Sequence, residues 1–310
     1  MVAVTSEGAH VAKTSMKGFP DRSLTLQPAP LEAMDLRGRN VVAIGGTDGL
    51  GRAIATLAAS RGAEVTVVGR TFRDEGVKGL RFVKADLSSM KQAERLGREL
   101  SVESADVLLL STGIIAAKQR EVTDEGLERD MAISYLSRLA VLQGVTSRLG
   151  TSRPAGSATP RVFVMGMPGA GSLGDLEDLM GERTYDAMAV HMNTVAGNEA
   201  IVLDQARRTK DVHFFGLNPG LIKTKIRANM LGEGSFLHTV VEFGIGLLMP
   251  SADDYARRIV PVLFAKELEG RTGVMFGAKG NPILPSEGMT ESSVAQLISA
   301  SQKLVTTALK

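Results

Sequence analysis

The stretch that decides the fold is residues 40–51, which read NVVAIGGTDGLG. Asn40–Ile44 is a short apolar run that predicts a buried strand. Gly45, Gly49 and Gly51 follow this run and predict a tight turn, and the apolar spacing over residues 52–61 predicts a helix. A strand, a glycine-rich turn and a helix in this order are typical of a parallel α/β unit.

The same alternation of strand-like and helix-like stretches continues along the chain. Further strands are predicted at residues 64–68, 80–84, 106–110, 161–165, 212–217 and 273–276. Helices are predicted at residues 90–100, 124–149, 185–208, 252–264 and 291–309. Because such alternation forms parallel sheets with both faces covered, we expect a single-domain α/β fold. Its core is predicted to be a doubly wound parallel sheet of the Rossmann type, with helices on both faces.

Composition and length favour one soluble globular domain. The 310 residues are 44% hydrophobic and 23% charged, with a formal net charge of +2 and a mean hydropathy of +0.06. Basic and acidic residues are interspersed, so we expect no nucleic acid partner. The longest apolar stretch, Phe236 to Met249, has 14 residues, whereas a membrane span needs about 20. The lack of cysteine fits a reducing compartment, and we expect a cytoplasmic location.

The N-terminal residues have a different character from the rest of the chain. Residues 1–30 contain charged side chains and no apolar core of the kind that a signal peptide carries. We predict an N-terminal extension at residues 1–35 and a Rossmann-fold domain at residues 36–310.

The glycine spacing, Gly-x3-Gly-x-Gly, resembles the nucleotide-binding loop of short-chain dehydrogenases/reductases. Three later stretches, each at a predicted strand end, extend the resemblance. Residues 85–87 (ADL) resemble the family's adenine-contacting site, residues 110–113 (LSTG) a degraded Asn-Asn-Ala-Gly, and residues 218–224 (NPGLIKT) the loop beside the nicotinamide. The resemblance implies a cofactor site formed by Gly45, Thr47, Asp48, Gly49, Leu50, Gly51, Asp86, Leu87, Gly113, Pro219, Gly220, Ile222 and Thr224.

Arg70 indicates which dinucleotide this site prefers. It follows the second predicted strand, 19 residues past Gly51, where NAD-binding proteins carry a carboxylate for the ribose hydroxyls. A guanidinium can instead bind a 2′-phosphate through two hydrogen bonds. We therefore expect NADP(H), bound by Arg70 with or without Arg73, and the alternative is a solvated surface arginine.

The family's usual catalytic tetrad is degenerate here. The resemblance puts Ser134 at the position of the Asn, Gly166 or Met167 at that of the Ser, His191 at that of the Tyr and Val195 at that of the Lys. Residues 185–188 (YDAM) precede His191 as they precede the catalytic Tyr in the retinol-dehydrogenase-like branch. The missing lysine would otherwise lower the pKa of that tyrosine.

His191 is the candidate proton donor, with Ser134 as the second candidate catalytic residue. An imidazole changes its charge near neutral pH and can deliver a proton without a lysine. The alternative is that His191 only packs or hydrogen-bonds in its helix. The four histidines, at positions 10, 191, 213 and 238, lack the spacing of metal ligands, so we expect no metal.

The class of substrate is predicted from residues 225–250, where this family carries a lid over the substrate. This stretch holds several apolar side chains, which favours a hydrophobic small-molecule substrate, with core packing as the alternative.

The first hypothesis for the function is an NADP(H)-dependent oxidoreductase acting on a hydrophobic carbonyl or alcohol. The others are a non-catalytic NADP(H)-binding regulatory protein and a non-redox enzyme on the same scaffold. Pairing of family members through the helices that contain Ser134 and His191 implies a homodimer or tetramer.

Overall fold

The computed structural model describes residues 18–220 and 250–310. Its strands form one sheet in the order β3-β2-β1-β4-β5-β6-β7-β8, in which β1 to β7 run parallel and β8 runs antiparallel to β7. The strands are β1 Asn40–Ile44, β2 Glu64–Gly69, β3 Leu80–Lys84, β4 Val107–Leu110, β5 Arg161–Met165, β6 His213–Leu217, β7 Val274–Phe276 and β8 Pro282–Ile283. The predicted Rossmann-type α/β fold is confirmed.

The helices cover both faces of the sheet. They are α1 Gly49–Ser60, α2 Met90–Glu99, α3 Arg129–Met131, α4 Ser137–Val145, α5 Ala187–Arg208, α6 Ala252–Leu263 and α7 Glu291–Ala308. A π-helical turn at Ala132–Leu136 joins α3 to α4, and short 3-10 turns lie at Leu31–Ala33 and Lys266–Leu268. No helix of the described ranges is long and apolar enough to cross a membrane.

The core has two layers because side chains alternate along each strand. Val42 and Ile44 of β1 point into the layer formed with α2, α4, α5 and α7, whereas Val41 and Ala43 point into the layer with α1 and α6. Both faces of the central strands are therefore buried, as the continuous apolar runs predict.

Several predicted boundaries are wrong, and hydrogen bonds at the helix ends explain two of them. The helix predicted at 124–149 begins at Arg129, because Glu128 accepts a hydrogen bond from the Met131 N–H at 2.7 Å and caps it. The helix predicted at 185–208 begins at Ala187, where Asp186 accepts from the Ala189 N–H at 2.7 Å.

The described part of the N-terminal extension lies along the domain. The Leu284 N–H donates to the Phe19 carbonyl at 2.8 Å, and the Asp21 N–H donates to the Pro282 carbonyl at 3.1 Å. Leu31 is buried in the layer that also holds α1 and α6. The predicted lid at 225–250 lies outside the described residues apart from Pro250, and so do Ile222 and Thr224.

Helix α7 packs against α5 and the π-helical turn. Four apolar side chains of α7 are buried in this contact layer, namely Val294, Leu297, Ile298 and Val305. The helices expected to pair two copies therefore have part of their surface covered within the chain.

Candidate functional site

A cleft of about 580 Å³ opens at the carboxyl ends of the parallel strands. In open α/β sheets ligands bind at this edge, where strand order reverses between neighbours such as β1 and β4. The cleft holds both candidate catalytic residues, His191 and Ser134. Twelve predicted cofactor residues line it as well: Gly45, Thr47, Asp48, Gly49, Leu50, Gly51, Arg70, Asp86, Leu87, Gly113, Pro219 and Gly220.

Two glycines bring the backbone of the turn against the end of β4. Gly45 has a φ of +87°, and a Cβ there would lie 2.4 Å from the Thr112 N. A Cβ on Gly51 would lie 2.3 Å from the Ser111 Oγ. Both positions therefore exclude larger residues, and the turn leads directly into the N-terminus of α1, where an anion is favoured.

The described wall of the cleft contains a fully buried hydroxyl without a hydrogen-bond partner. Thr112 Oγ1 is buried and has no hydrogen-bond partner among the described residues. Buried polar atoms are normally hydrogen-bonded, so an unpartnered one at a cleft fits the binding of a polar ligand.

Arg70 is exposed at the carboxyl end of β2 and forms no ion pair with the described residues. The neighbouring Arg73 pairs with Asp48 at 3.4 Å, and Arg52 pairs with the buried Asp74. The pKa of Asp74 is lowered by its hydrogen bonds to Arg52. Of these arginines, Arg70 is therefore the one whose guanidinium is left for a ligand.

Asp86 stabilises the turn after β3. Its Oδ1 accepts hydrogen bonds from the Ser88 N–H at 3.0 Å and from the Ser88 hydroxyl at 2.8 Å. Its own N–H donates to Gln92 Oε1 at 3.0 Å. This arrangement holds Asp86 and Leu87 at the mouth of the cleft.

His191 and Ser134 meet at a buried carboxylate. His191 Nδ1 lies 2.8 Å from Asp130 Oδ2, which also accepts a hydrogen bond from the Ala116 N–H at 3.1 Å. The Ser134 hydroxyl donates to Asp130 Oδ1 and accepts from the Ile114 N–H at 2.9 Å. The Asp130 side chain is fully buried, whereas that of His191 is 18% exposed. The His191 ring thus lines the cleft, and its Nδ1 is held by the buried Asp130 carboxylate.

A buried arginine closes the floor of the cleft. The Arg138 guanidinium donates to the carbonyls of Thr112 and Met165, at the ends of β4 and β5. It also donates to Asn198 Oδ1 at 2.7 Å. Burial lowers the pKa of Arg138, and the nearby Asp130 carboxylate opposes this. Arg138 therefore ties two strand ends to α5 directly beneath the cleft.

A sequence model of the short chain dehydrogenase family matches residues 39–159. An uncharacterised oxidoreductase of Saccharomyces cerevisiae is 45% identical over 294 residues, which cover 94% of this chain and 95% of that protein. The chain belongs to the short-chain dehydrogenase family. The architecture is shared with an uncharacterised protein from Mycobacterium paratuberculosis, with a TM-score of 0.67, 21% identity, and coverage of 90% of this chain and 98% of that one. It is also shared with a short chain dehydrogenase from Shigella flexneri 2a solved in complex with NADP, with a TM-score of 0.58, 17% identity, and coverage of 79% and 98%.

The residues that the sequence analysis assigns to the tetrad positions all line this cleft. Gly166, Met167 and Val195 line it together with Ser134 and His191. A Cβ on Gly166 would lie 2.8 Å from the Asn198 Cβ, so Asn198 fills the space that a serine side chain would need there. None of these five side chains supplies the phenol or the ammonium of the usual tetrad.

Tyrosine does not replace the missing phenol elsewhere in the cleft. The chain has three tyrosines, and none of them is among the residues that line the cleft. The Tyr185 hydroxyl donates to the Ala117 carbonyl at 2.8 Å, and burial together with nearby carboxylates raises its pKa to about 12. Burial also raises the pKa of Tyr135 and of Tyr255.

Asp130 and Arg138 are site residues that the sequence analysis does not identify. Both lie four positions from Ser134, one on either side, so that the helical spacing places them near the same face. That spacing is the signal that could have found them. Within the described ranges no group of three potential metal ligands is present.

Proposed function

We propose that this short-chain dehydrogenase is an NADP(H)-dependent oxidoreductase that acts on a hydrophobic carbonyl or alcohol. The observation that carries the proposal is that one cleft contains both the glycine-rich turn and His191. A dinucleotide bound at the turn would have its reactive ring near His191, because the strand ends of β1, β4 and β5 lie side by side.

The residues of the cleft fit a dinucleotide phosphate. The close approach of Gly45 and Gly51 to β4 leaves room for a pyrophosphate at the N-terminus of α1. Arg70 would hold the 2′-phosphate, because it has no competing carboxylate among the described residues. The unpartnered Thr112 Oγ1 would gain a hydrogen bond to the cofactor. Proteins of this fold are named with NADP and with NAD, so the choice of cofactor rests on Arg70.

In this proposal the cofactor supplies the hydride, and a side chain of the protein transfers the proton. When bound, NADPH supplies a hydride for the carbonyl carbon. His191 delivers a proton to the carbonyl oxygen, and in the oxidation of an alcohol it accepts that proton. Ser134 contributes by supporting Asp130, because its hydroxyl is already shared between Asp130 and the Ile114 N–H.

The substrate class follows from the apolar wall beside His191. Ile114, Ile115, Met167 and Val195 line the cleft there. Val195 replaces the family's charged lysine, which removes the most hydrophilic group of the usual site. An apolar carbonyl compound suits this wall, because apolar ligands bind pockets lined mainly by apolar side chains.

Binding of NADPH and NADH to the purified protein tests the cofactor half of the proposal. Loss of a charge-assisted phosphate contact costs about 1.5–3 kcal/mol, so the substitution Arg70→Ala should raise the Kd for NADPH about 10-fold to 100-fold. The Kd for NADH should stay nearly constant. Arg81→Ala is the matched control, because Arg81 is an exposed arginine of β3 that pairs with Glu64 outside the cleft. Equal Kd values of the wild type for the two cofactors would contradict the preference.

Oxidation of NADPH with a panel of hydrophobic carbonyl compounds tests the catalytic half. A positioned proton donor contributes about 10²-fold to 10⁴-fold, so His191→Ala should lower kcat by that factor while NADPH still binds. Tight NADPH binding without any turnover would favour the second candidate, a regulatory protein that binds NADP(H). The observation that supports this candidate is that the described residues lining the cleft include no tyrosine and no lysine. A cytoplasmic location and a homodimer or tetramer stay predictions.

A further inference from the structure

We propose that Asp130 is the positioning residue that holds the His191 ring, so that Nε2 is the nitrogen that exchanges a proton with the substrate. The catalytic part of this inference rests on the proposed function. The structural part, which concerns the tautomer and orientation of His191, can be tested without any substrate.

The contacts of Asp130 make it a fixed acceptor. Its side chain is fully buried on α3 and receives hydrogen bonds from three groups on separate segments of the chain. These are the Ala116 N–H, the Ser134 hydroxyl and His191 Nδ1. Because the first two contacts hold both carboxylate oxygens in place, the third contact fixes the direction of the imidazole ring.

The other ring nitrogen is left for the reaction. His191 Nε2 has no hydrogen-bond partner among residues 18–220 and 250–310, and the ring lines the cleft. A carboxylate that accepts from Nδ1 keeps the proton on that nitrogen, so Nε2 is the position that gains or loses a proton.

The proton balance follows from this arrangement. In carbonyl reduction the carbonyl carbon forms a bond to hydride, and its oxygen forms a bond to the proton released from Nε2 of the charged imidazole. The carbonyl compound is reduced, the dinucleotide is oxidised, and His191 is left neutral with its Nδ1–H still donated to Asp130. Alcohol oxidation reverses both transfers, with Nε2 as the acceptor of the hydroxyl proton.

Asp130 also explains how a proton donor can be oriented when the lysine of the usual tetrad is missing. The usual lysine is replaced by Val195, which can neither orient nor charge a proton donor. A carboxylate that accepts a hydrogen bond from Nδ1 fixes the direction of the ring and keeps a proton on that nitrogen. In this proposal His191 supplies the proton donor and Asp130 supplies its orientation.

The structural part is tested by ¹⁵N NMR of histidine-labelled protein without ligand. At alkaline pH, where an imidazole is neutral, the His191 signals, identified by their loss in His191→Gln, should show the proton on Nδ1 in the wild type. In Asp130→Asn the amide can donate to Nδ1, and the population should move toward the Nε2–H tautomer. A wild-type ring with its proton on Nε2 would overturn the proposal, even if Asp130→Asn fails to fold.

The catalytic part is tested by a double-mutant cycle. Asp130→Asn should lower kcat about 10²-fold to 10⁴-fold, with the KM for the carbonyl substrate and the Kd for NADPH nearly unchanged. In the His191→Ala background the same substitution should cause little further loss, because Asp130 acts through His191. Fully additive losses would overturn the positioning role. If no carbonyl is turned over at all, the proposed function fails, and the NMR result decides the role of Asp130 separately.

Discussion

The side chains of Tyr135 and Ser301 are joined by a buried hydrogen bond of 2.8 Å between the phenol and the serine hydroxyl. Tyr135 lies on the π-helical turn and Ser301 on α7, 166 positions apart. The ring lies against Gly197 of α5, where a Cβ would come within 2.4 Å of it. This one contact therefore connects the turn after α3, the helix of His191 and the last helix of the chain.

Tyr135→Phe should lower the free energy of unfolding by about 1 kcal/mol, because it removes one buried hydrogen bond and little volume. Turnover and NADPH binding should not change, because Tyr135 does not line the cleft. Urea denaturation measures the loss. Tyr255→Phe is the control, because the buried Tyr255 hydroxyl has no partner among the described residues, so its removal should cost nothing. Equal losses in the two variants would contradict the prediction.

Arg138→Met should lower the free energy of unfolding by about 3 kcal/mol or more. The variant leaves the acceptors at Thr112, Met165 and Asn198 without their donor, and unpaired buried acceptors cost about 1–3 kcal/mol each. Arg148→Met is the matched control. Arg148 also donates to two carbonyls, but its side chain is 31% exposed, so water can replace it and the loss should be smaller.

Gly51→Ala should weaken NADPH binding at least about 10-fold. The new methyl group would meet the Ser111 Oγ at 2.3 Å and the Gly45 carbonyl at 2.4 Å, so the nucleotide turn must shift. Gly97→Ala crowds the Val141 carbonyl at 2.8 Å, between α2 and α4 and away from the cleft. It should lower stability while the Kd for NADPH stays the same. Wild-type NADPH affinity in Gly51→Ala would show that the turn does not touch the cofactor.

Glu199 should make stability depend on pH. Burial raises the pKa of this carboxyl, although hydrogen bonds from Ser286 and Gly169 oppose the shift. As the pH rises above the unfolded value of 4.5, the unfolded chain releases this proton before the folded one does. Stability therefore falls from that pH up to the folded pKa and then levels off.

The comparison of wild type with Glu199→Gln isolates this effect. Urea denaturation from pH 4 to pH 7 should show the stability of the wild type falling relative to the variant, because glutamine does not titrate. Other buried carboxyls, such as Glu128, are present in both proteins and cancel in the difference. A constant difference across this range would mean that the pKa of Glu199 is the same in both states.

The sheet could be predicted from the sequence because its signal is local. Strands such as Asn40–Ile44 and Arg161–Met165 are continuous apolar runs that end at glycine or at polar turns, and the structure has them at those bounds. The sequence predicts no strand at β8, because Pro282–Ile283 is too short to show a pattern. The helix predicted from residue 124 begins at Arg129, because Glu128 is its N-terminal cap and the residues before it form a turn.

The site could be predicted only in part. The position of His191 followed from family landmarks in order along the chain, and the structure brings it into the same cleft as the glycine-rich turn. Asp130 could not be predicted in this way, because its contact with His191 spans 61 positions and depends on how α3 packs against α5. The spacing of four residues from Ser134 indicates a shared helix face, but only the burial of Asp130 shows that its carboxylate belongs to the site.

Helix α7 covers part of α5 and of the π-helical turn, the helices through which we expect two copies to pair. Four buried side chains of α7 pack against α5 and the π-helical turn of the same chain, namely Val294, Leu297, Ile298 and Val305. Deletion of this helix would bare a continuous apolar strip, and such strips on a soluble surface drive self-association. A chain shortened at its C-terminus would therefore expose the apolar surface that α7 covers, and a second molecule could bind to that surface.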